Sequence, residues 1–218
     1  MKPLLFSTLL LFLNICESFC FNFTVEEQNI LDYEVPAEVK KDFPYYLAGY
    51  DFGGAPVWIF QLGRWNLRKY VEKGGESFEA MDKHGSQILL RFRESGRISC
   101  DHEENTHSGF VSIMDMDGFS MSQVSHPETM MYLVKHFKKF DSVLQPGDLK
   151  MSFIINANFL FRRVWDLGKH YLGPAVTSIE IYGNPGTWKG QLLKHIPQDQ
   201  LPEIYGGPTG RKYLETFD

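Results

Sequence analysis

Cysteine is scarce in this 218-residue chain, which has only three. Cys16 and Cys20 lie near the N-terminus, and Cys100 lies in a polar segment. This number and spacing predict no disulfide framework, and no Cys/His pattern matches a zinc site. Hydrophobic residues make up 43% of the chain and aromatic residues 15%. One domain of this length and composition can therefore bury a sizeable core without cross-links or a metal.

Excess positive charge is also missing, because 27 acidic side chains outnumber 22 lysines and arginines and give a net charge of −5. Binding to nucleic-acid phosphates needs a clustered basic surface. The composition therefore argues against a nucleic-acid partner. A transient contact with a membrane surface through a local basic face remains compatible with this charge balance.

The N-terminal apolar run is too short to span a bilayer comfortably. It covers Leu4–Leu13, follows Lys2, and precedes small residues near Cys20. This order is typical of a secretory signal peptide. We therefore predict a signal peptide at residues 1–20, a secreted or secretory-pathway protein, and glycosylation at Asn22 within an N-x-T sequon. A cytoplasmic protein with a retained N-terminal helix is the alternative.

Signature motifs of nucleotide-dependent and serine hydrolase enzymes are absent from the sequence. It contains no G-x-G-x-x-G, no Walker loop and no G-x-S-x-G elbow, so no cofactor and no Ser-His-Asp chemistry are predicted. Asp101–His107 gathers two histidines and three acids. Their spacing matches no defined metal site, and the polar flanks favour a solvated loop. No metal site is therefore predicted.

Asp115 and Asp117 form the strongest catalytic candidate, because a predicted strand ends in Asp115–Met–Asp–Gly118. This pattern resembles the first motif of haloacid-dehalogenase phosphohydrolases. The resemblance implies Asp115 as nucleophile and Asp117 as acid/base beside magnesium. That family also needs a distal acidic pair, and none follows Gly147–Asp148. We therefore favour a strand-end turn with capping carboxylates and keep the magnesium-dependent phosphohydrolase as an alternative.

Predicted strands alternate with predicted helices along the chain. The strands are Val57–Leu62, Gly109–Met114, Leu149–Asn156 and Thr177–Tyr182, and a turn at Tyr50–Pro56 precedes the first. The helices are Val35–Pro44, Leu67–Lys73, Glu76–Glu94, Pro127–Leu144, Phe159–Leu172 and Trp188–Ile196. A polar loop is predicted from Ser95 to Ser108. Alternation of this kind predicts an α/β domain with a largely parallel sheet.

The helix predicted at Phe159–Leu172 is strongly amphipathic. Its apolar positions are Leu160, Phe161, Val164, Trp165, Leu167, Tyr171 and Leu172, and its polar positions are Arg162, Arg163, Asp166, Lys169 and His170. One interpretation is a surface helix that covers the sheet. The other is a movable cover with its apolar side on a ligand and with Arg162, Arg163 and Lys169 against membrane headgroups. Gly168 favours either a hinge or close packing.

Several short motifs between Val35 and Gly207 resemble, in their order, those of the CRAL-TRIO (Sec14-like) lipid-binding domain. They are Gly49–Trp58 with the pattern G-x-D-x-x-G-x-P-V, Asp115–Gly118, Phe153–Asn156, Trp165–Leu172, Leu192–Ile196 and Leu201–Gly207. Within that family the chain resembles the animal Sec14-like proteins that are similar to tocopherol-associated protein. On this resemblance residues 35–207 form the domain, residues 21–34 an N-terminal stub and residues 208–218 a C-terminal tail.

The resemblance implies a mixed sheet beneath a hydrophobic pocket, with Phe159–Leu172 as a gate helix over a bound lipid. The function it implies is non-enzymatic binding and transfer of a phospholipid, a tocopherol-like isoprenoid or another lipid. An interaction module with a vestigial pocket is a further alternative. The predicted pocket residues are Phe110, Met114, Phe119, Met121, Met151, Phe153, Ile155, Phe161, Val164, Trp165 and Tyr171.

Some positions depart from the pattern of the family members that bind phosphatidylinositol. Gly147 replaces their glutamate, and Val176 and Ile179 replace a threonine and a lysine. An inositol phosphate in that place would lack its cationic partner. The departures therefore argue against phosphatidylinositol specificity. Asn158 also replaces the proline that usually follows the I-I-N strand.

Overall fold

The computed structural model describes residues 23–98 and 109–218. The predicted signal peptide, Asn22 and the segment Asp101–His107 lie outside the described residues. The described helices are α1 (Val25–Leu31), α2 (Ala37–Asp42), α3 (Leu67–Lys73), α4 (Gly75–Ile98), α5 (Met121–Val124), α6 (Pro127–Val143), α7 (Phe159–Gly168) and α8 (Pro185–His195). The strands are β1 (Tyr45–Tyr50), β2 (Pro56–Phe60), β3 (Phe110–Asp115), β4 (Leu149–Ile155), β5 (Ile179–Ile181) and β6 (Glu215–Phe217).

The six strands form one sheet in the order β5-β4-β3-β2-β1-β6. Strands β2 to β5 pair in parallel, whereas β1 is antiparallel to both β2 and β6. The prediction of an α/β fold with a mixed, largely parallel sheet is therefore confirmed. Parallel neighbours need crossover connections, and here α4, α6 and α7 lie in those connections.

Strands β1 and β6 are not among the strands predicted from the sequence, because each depends on partners far away in the chain. Strand β1 contains Ala48–Gly49, which are poor strand formers, and its register shifts between Leu47 and Gly49. Strand β6 is only three residues long and is held by the stacking of Phe217 on Tyr45, with ring centroids 4.8 Å apart. Residues near the end of the chain are thus part of the sheet.

Apolar side chains cover both faces of the sheet, and each face packs on different helices. One face carries Val57, Ile59, Val111, Ile113, Phe153 and Ile155, which pack on Trp188 and Leu192 of α8. The other carries Phe60, Phe110 and Ile154, which pack on Phe92 of α4, Leu133 of α6 and Phe161 of α7. Helices α4, α6 and α7 therefore lie together on one side of the sheet.

The ends of three helices differ from the predicted ends. Helix α4 continues to Ile98, beyond the predicted end at Glu94. Helix α8 begins three residues before Trp188, because Asn184 caps it and Pro185 occupies its first turn. Helix α7 is α-helical only to Gly168 and continues as a 3-10 turn over Lys169–Tyr171.

Residues before the first strand also pack on the domain. The buried guanidinium of Arg93 on α4 lies 2.6 Å from a carboxylate oxygen of Glu27 on α1. The side-chain amide of Gln87 donates to the carbonyl oxygens of Ile30, Leu31 and Tyr33. These contacts attach α1 to α4. Within the described ranges no helix is both long and apolar enough to traverse a bilayer.

Candidate functional site

An apolar cavity of about 70 Å³ lies between the sheet and helices α6 and α7. Fifteen of the described residues line it; twelve of these are apolar, and the other three are uncharged or weakly basic. The apolar residues are Phe60, Leu62, Met114, Leu133, Phe137, Phe140, Ile154, Phe161, Val164, Trp165, Leu172 and Ile179, and the polar ones are Ser112, His136 and Ser152. Such a surface favours an apolar ligand.

The floor of the cavity lies on the neighbouring strands β3 and β4. Ser112 and Ser152 are register partners there. They are 2% and 3% exposed, and the hydroxyl of Ser112 donates to Oγ of Ser152 at 2.8 Å. Along the same face Met114 and Ile154 continue the floor as apolar residues. The serine pair is therefore a polar spot in an apolar wall.

The roof is formed by α6 and α7, which are closely interlocked. A Cβ added at Gly168 would lie 2.4 Å from Cδ2 of Phe137, so the phenyl ring occupies the space that a side chain would need. Trp165 meets the same ring edge-on with centroids 5.8 Å apart. Of the two sequence interpretations of Gly168, the structure supports close packing. The roof is thus closed by contacts of aromatic side chains.

The start of α7 is fixed by Asn158. Its Oδ1 accepts a hydrogen bond from the backbone N–H of Phe161 at 3.1 Å, and its Nδ2 donates to the carbonyl of Phe119 at 2.6 Å. Asparagine is a favoured N-cap because it satisfies an unpaired N–H of the first turn. Asn158 therefore both begins α7 and ties it to the segment after β3.

His136 of α6 borders the same cavity. Burial lowers the pKa of its imidazole to about 4, because the charged form is poorly solvated there. Its Nδ1 is buried and has no hydrogen-bond partner among the described residues. At neutral pH the side chain is therefore an uncharged ring with one unsatisfied polar atom.

The cavity is too small for a whole lipid in this closed arrangement. An apolar cavity of about 150 Å³ holds one benzene molecule, and this one is less than half that size. A ligand with a long chain would have to displace α6 or α7, since β3 and β4 are central strands paired on both sides. The structure therefore shows a small cavity with a mostly apolar lining.

The eleven predicted pocket residues divide into four groups. Met114, Phe161, Val164 and Trp165 line the cavity. Phe110 and Phe119 belong to the core on the same side of the sheet but do not line it. Met151, Phe153 and Ile155 face α8 on the opposite side, and Met121 and Tyr171 are exposed at the surface. Four of the eleven predicted residues therefore line this cavity, and the other seven do not.

The misplacement of the β4 residues has a simple cause. Alternation along β4 predicts that Leu149, Met151, Phe153 and Ile155 share one face; the structure has the last three together and Leu149 on the other face. A period of two also does not tell which face meets α6 and α7 and which meets α8. The face toward the cavity carries Ser152 and Ile154 instead. A register irregularity in the β3–β4 pairing lies next to Leu149, and Leu149 joins the core on the other side.

Helix α6 supplies cavity residues that the sequence interpretation did not assign to a pocket. Leu133, Phe137 and Phe140 are spaced at i, i+4 and i+7 and so share one face of the helix. All three line the cavity, with His136 beside them. Their helical spacing was the available signal, but it does not distinguish a cavity wall from a packed core.

Asp115 holds together the carboxyl ends of β3 and β4. Its Oδ1 accepts from Nδ2 of Asn156 at 2.8 Å and from the backbone N–H of Asp117 at 2.9 Å. Its Oδ2 accepts from the hydroxyl of Tyr205 at 3.0 Å. Burial and the neighbouring carboxylate raise the pKa of the Tyr205 phenol, so that phenol remains a donor. Oδ1 of Asn156 in turn accepts from the indole of Trp188.

This network gives Asp115 a structural role. Both of its carboxylate oxygens are engaged, and the side chain is only 6% exposed. Asp117 points elsewhere and forms an exposed ion pair with Arg64 at 2.8 Å. In residues 23–98 and 109–218, no group of three or more His, Cys, Asp or Glu is arranged to hold a metal. The geometry thus favours the capping-turn interpretation of this motif.

The outer side of α7 and of the 3-10 turn that follows it combines apolar and cationic residues. Phe159, Leu167 and Tyr171 are 66%, 59% and 48% exposed. Arg162 and Arg163 are exposed as well, and the guanidinium of Arg163 lies 4.9 Å from the centroid of the Phe159 ring. Lys169 is half-buried and pairs with Asp166 at 2.9 Å. Helix α7 is thus apolar on its inner side and mixed on its outer side.

Comparisons with known proteins agree with this fold. The CRAL/TRIO domain family model matches residues 40–207. The chain is 28% identical over 189 residues to the phosphatidylinositol/phosphatidylcholine transfer protein SFH12 of Arabidopsis thaliana, covering 84% of this chain and 33% of that protein. It is 25% identical over 184 residues to the SEC14 cytosolic factor of Yarrowia lipolytica, covering 83% and 36% respectively. The chain thus spans about a third of the length of these relatives.

A solved structure shows the same architecture. The crystal structure of Sfh5 superimposes with a TM-score of 0.61 at 14% identity, covering 87% of this chain and 65% of that one. At this identity the likeness concerns the fold alone. The family model covers most of the described sheet and the cavity between β3, β4, α6 and α7. The chain therefore belongs to the CRAL/TRIO domain family.

Proposed function

We propose that this protein binds one lipid molecule between its sheet and helices α6 and α7, and carries it between membranes without catalysing a reaction. The observation that carries the proposal is the cavity, which in the described part of the chain has twelve apolar lining residues and no Lys, Arg, Asp or Glu. The names of the relatives, which are phosphatidylinositol/phosphatidylcholine transfer proteins, support the same class of function.

Hydrophobic burial supplies the free energy for loading. Each CH₂ group removed from water contributes about 0.8 kcal/mol, so a long acyl or isoprenoid chain gains several kcal/mol on entry. This gain offsets the loss of contacts between α6 and α7 when the contracted cavity expands. The empty protein would then be closed and the loaded protein wider at the same place.

Helix α7 is the element we assign as the gate. Its inner residues Phe161, Val164 and Trp165 form part of the roof. Its start depends on the Asn158 cap, and its end rests on Phe137 through Gly168. A rotation of this helix away from the sheet would open the cavity while leaving the paired strands unchanged.

The outer side of α7 is the proposed membrane contact. Phe159 and Leu167 are exposed apolar residues, and Arg162 and Arg163 provide positive charge beside them. Interfacial helices bind membranes through this combination of buried apolar area and attraction to anionic headgroups. Lys169 is proposed as a weaker contributor, since Asp166 already pairs with it.

A secretory location is a separate proposal that rests on residues 1–20 and Asn22. Expression in secreting animal cells with the native N-terminus tests it. Recovery from the medium with a mobility shift on glycosidase treatment, abolished by Asn22→Gln, would support the proposal. Retention inside the cell with an intact N-terminus would support the cytoplasmic alternative.

The direct test of lipid binding is extraction of the purified protein with organic solvent, followed by mass spectrometry. We expect about one lipid per folded protein molecule. The test variant Val164→Trp places a bulky ring in the roof of the cavity. The control variant is Val25→Trp, which changes a residue that is 81% exposed on α1. Lipid recovered from the second variant and lost from the first supports the proposal. A folded protein without lipid would instead favour an interaction module with a vestigial pocket.

A further inference from the structure

The hydroxyl of Ser152 is an unsatisfied donor in the floor of the apolar cavity. The residue is 3% exposed, and its Oγ accepts a hydrogen bond from the hydroxyl of Ser112, with 2.8 Å between the two oxygens. A hydroxyl has one proton of its own to donate, and that of Ser152 has no acceptor in residues 23–98 and 109–218. An unmade hydrogen bond at a buried group is costly. The floor therefore has a place for an acceptor atom from outside the chain.

The imidazole of His136 presents a second unsatisfied group at the same cavity. Its Nδ1 is buried without a partner within the described part of the chain. The residue lines the cavity from α6, whereas the serine pair lines it from β3 and β4. Polar groups thus border an otherwise apolar space from both floor and roof. Ligand sites commonly have this composition, with a few polar atoms that fix the orientation of an apolar molecule.

Charge is absent from this lining. No Lys, Arg, Asp or Glu borders the cavity among the described residues, and burial keeps the imidazole of His136 neutral at pH 7 because it lowers the pKa to about 4. A phosphate or carboxylate placed on the serine pair would be a buried charge without a partner, which is strongly unfavourable. An uncharged oxygen would carry no such penalty.

We infer that the cavity selects an uncharged lipid that carries a hydroxyl, carbonyl or ester oxygen, and that this oxygen accepts a hydrogen bond from Ser152. The inference rests on the proposed lipid-binding function and narrows its ligand class. A saturated hydrocarbon would leave the hydroxyl of Ser152 unsatisfied. A phospholipid whose headgroup entered the cavity would bury a charge. An alcohol, ketone, quinone or neutral ester satisfies the site.

The pairing of the neighbouring strands holds Ser152 in a fixed position. Ser112 and Ser152 are partners in parallel strands that are paired on both sides. They therefore stay in place when α6 or α7 moves, and the oxygen of the ligand would meet the same donor in the open and the closed protein. His136 lies on α6 and would contribute only when that helix is closed over the ligand.

Three probes with the same reporter test this inference. They are a pyrene-labelled long-chain alcohol, the matching pyrene-labelled alkane and pyrene-labelled phosphatidylcholine, each titrated against the delipidated full chain. One well-formed hydrogen bond corresponds to about a tenfold change in affinity. We therefore expect the alcohol to bind about tenfold more tightly than the alkane and more tightly than phosphatidylcholine.

The variant Ser152→Ala should reduce alcohol binding about three- to tenfold, so that it binds the alcohol and the alkane with nearly equal affinity. Ser142→Ala is the matched control, because Ser142 is exposed on α6 and outside the cavity lining. Equal binding of alcohol and alkane, or alcohol binding that Ser152→Ala does not alter, would overturn the inference. Tighter binding of phosphatidylcholine would overturn it and leave lipid transport standing. Failure to bind any probe would reject the proposed function as well.

Discussion

The phenyl ring of Phe137 occupies the space in which Gly168 lacks a side chain, and this contact locks α6 to α7. A Cβ at position 168 would lie 2.4 Å from Cδ2 of Phe137, which is shorter than real Cβ contacts allow. Gly168 has a φ of −95°, which any residue can adopt. The glycine is therefore required by packing and not by its backbone conformation.

Gly168→Ala should loosen the closed roof. Overpacking of this kind costs about 1–3 kcal/mol, and the cost falls on the contact that keeps α7 over the cavity. We expect a lower free energy of unfolding in urea and faster lipid exchange between vesicles. Gly190→Ala is the control, because a Cβ at that helix position meets no atom of residues 23–98 and 109–218 within 4 Å. It should stabilise the protein by up to about 1 kcal/mol through helix propensity and leave exchange unchanged. Slower exchange in Gly168→Ala would contradict the gate assignment.

Asp115→Ala should destabilise the fold by about 1–3 kcal/mol, because the buried donors of Asn156 and Tyr205 lose their acceptor. Asp117→Ala removes only an exposed ion pair with Arg64, so its effect should stay below about 1 kcal/mol. Chemical denaturation of both variants measures the difference.

A phosphatase assay supplies an independent check. Activity in the wild type that is lost in Asp115→Asn would revive the phosphohydrolase alternative.

Acidification should destabilise the protein through His136. The unfolded imidazole has a pKa of about 6.5, and burial lowers the folded value to about 4. Between these values the unfolded chain binds more protons than the folded chain, so stability falls as the pH falls. The expected loss from pH 6.5 to pH 4 is up to about 3 kcal/mol.

The variant His136→Phe isolates this contribution, because other groups titrate equally in both proteins. The pKa values of the Glu27 and Asp42 carboxylates are lowered despite their partial burial, by hydrogen bonds from Thr24 and Arg93 and from Lys69 and Tyr70 respectively. Their contribution to acid sensitivity therefore appears at lower pH. A stability difference between wild type and His136→Phe that does not change over pH 4–6.5 would refute the assignment.

Reversing the charges on the outside of α7 should weaken membrane binding. Each cation near an anionic surface contributes about 1 kcal/mol, so the double change Arg162→Glu and Arg163→Glu should lower binding to phosphatidylserine vesicles at least tenfold. The double change Lys189→Glu and Lys194→Glu alters the charge equally on α8, on the opposite side of the sheet. Vesicle sedimentation at low and high salt makes the comparison. An equal loss in both double variants would show that only net charge matters.

Local patterns predicted much of the fold and part of the site. The helical periodicity of Phe161, Val164 and Trp165 placed them together on the inner side of α7, and the structure has them at the cavity. Alternation grouped Phe153 with Ile155 but could not choose between two apolar faces of a sheet covered on both sides. The face was decided by tertiary packing, which a single strand does not encode.

The polar floor of the cavity could not be predicted from the sequence, because it also depends on tertiary packing. Ser112 and Ser152 are 40 positions apart and meet only through the register of β3 and β4. Strand β6 likewise depends on the stacking of Phe217 on Tyr45, far away in the chain. Spacing within a segment carries no signal for such pairs.

Transfer of a fluorescent lipid between vesicles by the wild type and by Val164→Trp tests the central claim most directly. Val164 is 1% exposed and lines the cavity, so the larger ring should occupy the ligand's place and reduce transfer at least tenfold. Circular dichroism and thermal unfolding verify that the variant is folded, and Val25→Trp should transfer normally. A folded Val164→Trp protein that transfers lipid as fast as the wild type would contradict a ligand site between the sheet and α7.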